Sequence, residues 1–271
     1  MKGNKPFLIS LNIRKRKAFL SFLVLLLFHS QINYAQYGDI PLKQKRIGIQ
    51  IKGNVLPKST INTIEGNYHL QSRIQSSFSA GINYQPNPGN AWDVSTGLQL
   101  ELTNWNFFIL IPDSDLPGFY SAEGAPQIEN KEVHFKLALP VQIVHTFGNA
   151  DHGLFGSKAG IKLNYCGFSP DESIIAFMAD TNFNLTNVFH GEFKSDNNKK
   201  PWLSFLVSVF KNFYLKNNHQ LSLELGIEYS NTRFIKGDYE ITIPNKPITR
   251  GTYSLTGSCV GLGVQYYFYR K

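Results

Sequence analysis

The chain has 271 residues, 14% of them aromatic and 17% charged, a balance that excludes a mainly disordered protein. Its formal charge of +8 suggests a nucleic-acid binder. However, Lys2, Lys5, Arg14, Lys15, Arg16 and Lys17 all lie in residues 1–35, which hold no acid, and the remainder carries 21 basic against 19 acidic residues, so no nucleic-acid partner is expected.

The basic excess opens an export signal. Arg14 to Lys17 form a positive region, Ala18 to Phe28 an apolar run, and Tyr34-Ala35-Gln36 a small-residue cleavage site, in the order of a secretory signal peptide. The run is about half the ~20 residues of a spanning helix. The expected organisation is a cleaved signal over 1–35, a periplasmic segment over 36–44 and one barrel domain over 45–271.

From residue 45 onward the chain alternates with period two. Eight segments read as strands: Lys45–Leu56, Arg73–Tyr84, Trp92–Phe108, Glu132–Phe147, Gly153–Gly167, Trp202–Leu215, His219–Asn231 and Thr252–Phe268. Lys45–Leu56 sets Ile47, Ile49 and Ile51 against Arg46, Gly48, Gln50 and Lys52. Trp92–Phe108 sets Val94, Leu98, Leu100 and Leu102 against Asp93, Ser95, Gly97, Gln99 and Glu101. Strand side chains alternate between two faces, whereas an amphipathic helix would repeat near 3.6. Pro140 lacks an N–H for the ladder, so a bulge or local break is expected there.

Short and long connections interleave. Gln85–Ala91, Gly148–His152 and Lys216–Asn218 are turn-like, while Pro57–Ser72, Ile109–Lys131, Phe168–Pro201 and Thr232–Gly251 are long. Outer-membrane barrels sort their connections this way. The polar face is rich in Gly (Gly97, Gly156, Gly160, Gly226, Gly257, Gly261, Gly263) and carries charges of both signs. A narrow lumen with paired charges needs such a face. Aromatics stand near the ends of the apolar face: Trp92, Phe135, Phe147, Phe155, Tyr165, Tyr229, Tyr266 and Phe268. The expected fold is all-β, an eight-stranded antiparallel transmembrane β-barrel with short periplasmic turns, long extracellular loops and both termini periplasmic.

The run Gly261-Leu-Gly263-Val-Gln-Tyr266-Tyr-Phe268 resembles the assembly signal that ends bacterial outer-membrane barrels, although Tyr269, Arg270 and Lys271 follow it. The Tyr34-Ala35-Gln36 signal end and Phe135-Lys-Leu-Ala-Leu-Pro140-Val-Gln resemble the PorT-like outer-membrane β-barrel proteins of Bacteroidetes-type bacteria. That resemblance implies a barrel and a location, with no single activity.

Motifs for chemistry are sparse. The His residues show no HExxH spacing and Cys166 and Cys259 no CxxC, so neither a metal nor another cofactor is expected. Asp113-Ser-Asp115-Leu-Pro-Gly118 starts like a calcium loop, but Gly124 stands where the bidentate Glu belongs. Asn184-Leu-Thr186 is a chance glycosylation triplet. Asp171, Ser173 and His190 share the third long connection without a catalytic spacing, so no catalytic, cofactor or metal residue is assigned. Cys166 and Cys259 fall on the inward face of non-neighbouring strands and read as two free thiols.

The expected function is a non-enzymatic outer-membrane protein with a structural, interaction or secretion-accessory role and no general diffusion pore. The expected partners are outer-membrane lipid, the barrel assembly machinery and a protein or glycan at the extracellular loops. Phe168, Ile174, Ile175, Phe177, Met178, Phe183, Leu185, Val188, Phe189 and Phe193 make the third connection apolar. Strands continuing the barrel outward account for that, and so does a docking surface. A lipid-modifying barrel enzyme and a soluble periplasmic barrel for an apolar ligand are the alternatives.

Overall fold

A computed structural model describes residues 46–86, 91–116, 128–147, 154–166, 172–180, 182–195, 200–215 and 219–268. The signal segment 1–35 and the segment 36–44 lie outside these residues.

Eight strands close a ring: β1 (Arg46–Leu56), β4 (Gln75–Gln85), β5 (Trp92–Ile109), β6 (Ile128–Phe147), β7 (Phe155–Tyr165), β10 (Trp202–Tyr214), β11 (Gln220–Tyr229) and β14 (Cys259–Phe268). Each pairs antiparallel with the next, β5 with β6 and β1 with β14 included. Closure removes every sheet edge from the ring, so its backbone polar groups need no water.

Alternation decides which face is wet. On β1, Ile47, Ile49 and Ile51 are exposed on the outside, while Arg46, Gln50 and Asn54 are buried inside. On β6, Phe135, Leu137, Leu139, Val141 and Ile143 point out, and His134, Lys136 and Gln142 point in. A water-soluble barrel has the opposite polarity. The molecule is an inside-out barrel whose exterior is solvated by hydrocarbon.

Pro140 forms no bulge. Its ladder with β7 is continuous, Pro140 opposite Lys162. On the β5 side the rungs skip from Thr96–Val141 to Gln99–Ala138 without a register shift. The missing N–H leaves a local break on one side only.

The long connections are largely strand. They supply β2 (Thr60–Glu65), the two-residue β3 (Leu70–Gln71), β8 (Glu172–Ala179), β9 (Leu185–Lys194), β12 (Arg233–Ile241) and β13 (Thr249–Thr256). A second sheet runs in the order β2-β13-β12-β9-β8. Each member continues a ring strand, in the ring's own order β1-β14-β11-β10-β7. The segment read as one strand over Thr252–Phe268 is therefore two, β13 and β14, in different sheets. β5 and β6, at 18 and 20 residues, pass through both levels unbroken. The barrel thus carries a second storey at one end.

Polarity inverts between the storeys. On the inward side of β5, Asp93, Ser95, Gln99, Glu101 and Thr103 give way to Trp105, Phe107 and Ile109. On its outward side, Leu98, Leu100 and Leu102 give way to Asn104 and Asn106. On β6 only the outward side changes, from exposed Val133 opposite Asn104 to Lys131 opposite Asn106, while its inward side stays polar through Glu132 and Asn130. Trp92 to Leu102 is ten residue steps, or ~26 Å along the barrel axis at about 3.4 Å per residue and a tilt of about 40°. That matches an outer-membrane apolar band of about 25 Å.

Candidate functional site

The lumen is filled. Glu101 receives Lys136 Nζ at 2.6 Å and Lys162 Nζ at 3.2 Å, and Lys162 also holds Glu228. Lys158 Nζ lies 2.5 Å from Glu224 Oε2 and donates to Gln265 Oε1 at 3.0 Å. Gln265 in turn donates to Glu224, and the Tyr267 hydroxyl to Gln265. Nearby, Asn83 and Gln99 both donate to Gln50 Oε1. Pairing of this density makes burial of the charges tolerable. The gap left among Gln50, Gln99, Gln142, Ser208 and Glu228 has room for the centres of about one or two water-sized particles.

Above the lumen the second storey closes over an aromatic core. Trp105, Phe107, Phe189, Phe193, Phe234 and Tyr253 are fully buried there. Trp105 and Phe193 pack edge to face at 5.1 Å, and Phe107 lies 5.3 Å from both Phe189 and Phe193. The apolar residues of the third connection divide accordingly. Phe189, Phe193, Val188 and Met178 are core. Ile175, Phe177, Phe183 and Leu185 are exposed, Phe183 at 77%.

The tip that carries Phe183 is built by Asp180, whose carboxylate accepts from the backbone N–H groups of Asn182 and Asn184 and from the Asn184 side chain. Those bonds hold the Asp180 carboxyl below the usual aspartate range. Phe183 adopts φ 64°, a left-handed conformation that is costly for a bulky residue. The turn thus projects an aromatic ring into solvent. Exposed Ile175 and Phe177 lie on β8, an edge strand whose only ladder partner among the described residues is β9.

At the base of β8 two carboxyl groups meet. Glu172 lies beside Glu132 on β6, and His134 Nε2 lies 3.4 Å from Glu132 Oε2. Burial and then the neighbouring Glu132 raise Glu172 above the ordinary glutamate range. Burial works against ionisation of Glu132 as well, but its polar neighbours His134, Glu172 and Asn130 pull it below that range.

The other sequence candidates are dispersed. Asp115 is taken by Lys246 Nζ at 2.6 Å and the Tyr68 hydroxyl at 3.1 Å, while Gly118 and Gly124 lie outside the described residues. Ser173 stands opposite Glu192, and His190 Nε2 is 3.6 Å from Glu192 Oε1; Asp171 lies outside the described residues. Cys166 and Cys259 are both buried, and the Cys166 thiol donates to the Phe135 carbonyl oxygen. Among the described residues no group of three or more His, Cys, Asp or Glu is placed to hold a metal ion. Sequence reasoning missed Glu132 and Glu172, because nothing in their spacing announces that β6 and β8 meet.

No protein-family model matches the chain, and no curated protein matches it. Solved structures similar to it include the outer membrane protein OprG from Pseudomonas aeruginosa, at 11% identity over 84% of this chain and 98% of that one, TM-score 0.38. A major outer membrane protein from Thermus thermophilus is similar at 11% identity over 83% and 99%, TM-score 0.38. The outer membrane protease OmpT from Escherichia coli is similar at 9% identity over 87% and 100%, TM-score 0.25. At these scores the barrel rests on this chain's own closed strand pairing. By that pairing and its polarity, the chain is a closed, inside-out, eight-stranded antiparallel β-barrel.

Proposed function

We propose that the protein is a non-enzymatic barrel of a bacterial outer membrane, exported by its N-terminal signal, whose outer storey serves as an interaction platform. A secretion-accessory or structural role of the PorT-like kind fits this reading. The observation that carries it is the inversion of polarity along β5. Below Asn104 the outward face of β5 suits lipid; above it, Asn104 and Asn106 suit water.

Two features argue against transport. The lumen is packed with ion pairs, and an aromatic core covers one end. Barrels of this strand number have interiors filled by side chains. The exposed β8–β9 tip supplies a surface for a protein or glycan partner, and the apolar band supplies the contact with lipid. Lipid modification would need a nucleophile activated by a base. Ser173 instead faces Glu192, with which His190 is paired.

Membrane fractionation and gel mobility with and without heating test the reading. The expected result is a membrane-bound protein whose folded form shifts on heating. Recovery in the soluble fraction, with no shift, would support a soluble ligand-binding barrel instead.

A further inference from the structure

Lys52 is the odd charge of the lumen. In the membrane-spanning part, five inward cations (Arg46, Lys52, Lys136, Lys158, Lys162) face four carboxylates (Asp93, Glu101, Glu224, Glu228) among the described residues. Lys136, Lys158 and Lys162 are all paired to glutamates. Lys52 forms no ion pair within 4 Å among the described residues.

Its side chain is nevertheless placed with care. It crosses β14 over glycine backbone. A Cβ on Gly263 would stand 3.4 Å from Lys52 Cγ, and one on Gly226, on the next strand, 3.4 Å from Lys52 Nζ. Gly261, which pairs with Gly226, lies directly beneath Lys52 Cε. A side chain at Gly261 would occupy the path of the lysine stem. The glycine floor therefore delivers the ammonium to a chosen point, beside the lumen cavity.

That cavity is lined by Lys52, Gln142, Lys162, Ser208, Glu224 and Glu228. Ser208 Oγ is buried against the Glu224 carboxylate without completing a hydrogen bond. The Glu224 and Glu228 carboxylates are held by Lys158 and Lys162, so the uncompensated charge facing the space is positive. Lys52 is half-buried and lies in the field of Glu224, but it makes no ion-pair contact of its own, and a lumen with one cation in excess is costly unless something neutralises it. The space is small, with room for about one or two water-sized particles, and so suits a compact ion better than sulfate or phosphate.

We propose that this cavity is a binding site for one small monovalent anion, chloride in physiological media, held by the Lys52 ammonium with Ser208 and Gln142 as neutral donors. The anion completes the charge balance of the lumen.

The test uses the full chain folded in detergent micelles, with bromide as the probe. Anomalous scattering from crystals grown in sodium bromide should show one peak within hydrogen-bonding reach of Lys52 Nζ. In solution, the unfolding midpoint should rise saturably with chloride or bromide, but not with gluconate at the same ionic strength. Lys52→Met should remove the saturable part, and Ser208→Ala should weaken it. Heat-dependent gel mobility checks that each variant is folded. If Lys52→Met does not fold, the parent's bromide peak decides alone. A parent crystal with only water in the cavity, or a folded Lys52→Met variant with the parent's full halide response, would overturn the proposal.

Discussion

Lys158 and Glu224 meet at 2.5 Å across the lumen from β7 and β11, two strands that are not neighbours but are separated by β10. The pair bridges over β10 and ties two strands that share no ladder. Removing one partner leaves a buried charge, which typically costs about 3–5 kcal/mol, whereas removing both is far milder. Glu224→Gln should therefore lower the urea midpoint strongly in micelles. Lys158→Met combined with Glu224→Leu should recover most of it. Equal losses in the single and double variants would show that the pair is not the tie described.

Leu100 and Asn104 point out from the same face of β5, on opposite sides of the polarity boundary. Leu100→Arg places a charge within the apolar band, at roughly 2–4 kcal/mol. Asn104→Arg should change stability by no more than about 0.5 kcal/mol, as surface substitutions usually do. Leu223→Arg on β11 should behave like Leu100→Arg. Insertion yield and urea titration in lipid vesicles measure all three, and comparable tolerance of the two β5 variants would move the boundary.

The packed lumen predicts electrical silence. Reconstituted protein in planar bilayers should show no large, steady single-channel conductance. Open channels of porin size would refute the filled lumen directly.

The Glu132–Glu172 pair predicts a pH response in the outer storey. The Glu172 value is raised, so its contribution to holding β8 against β6 is complete below the ordinary glutamate range. It is lost as pH rises through the raised value. Amide exchange along β8, corrected for its intrinsic pH dependence, should accelerate across that interval. Glu172→Gln keeps a donor toward Glu132 at every pH and should flatten the response. An unchanged profile in that variant would remove the carboxyl pair from the account.

The interaction platform predicts a separation of fold from function. Shortening Ile174–Phe193 to a Gly/Ser linker is a blunt test, because Phe189 and Phe193 belong to the core of the outer storey. Ile175→Ser, Phe177→Ser and Phe183→Ser together change only exposed groups. This triple variant should fold with parental heat-dependent mobility yet fail to complement a deletion strain. Full complementation would place function elsewhere.

Much of the ring is legible in the alternation. Period two alone puts Ile47, Leu100, Leu139 and Val264 on the outside, and they are there. The second storey is harder to see, because its outward residues mix polar and apolar and its connections look like loops. The signal is nonetheless present. Trp105, Phe107 and Ile109 continue the parity of Asp93 and Glu101, and Tyr253 and Leu255 share the parity of Gly261 and Gly263. An apolar run on the lumen-facing parity marks where hydrocarbon ends. The Glu132–Glu172 contact and the reach of Lys52 over Gly261 are beyond sequence reasoning, since both depend on which distant strands become neighbours.

The unbroken passage of β5 and β6 through both levels has a bearing on how such a chain can change. A strand that serves two solvents has a reading frame, since parity alone tells each level which way is in. A single residue inserted beside Asn104 would leave Leu100 in lipid but turn Trp105 and Phe107 out into water, unless a bulge absorbed it. Insertions in pairs would preserve the frame and merely lengthen the neck. Length variation among relatives of this chain should therefore come in even steps at the boundary, and in any number at the tips.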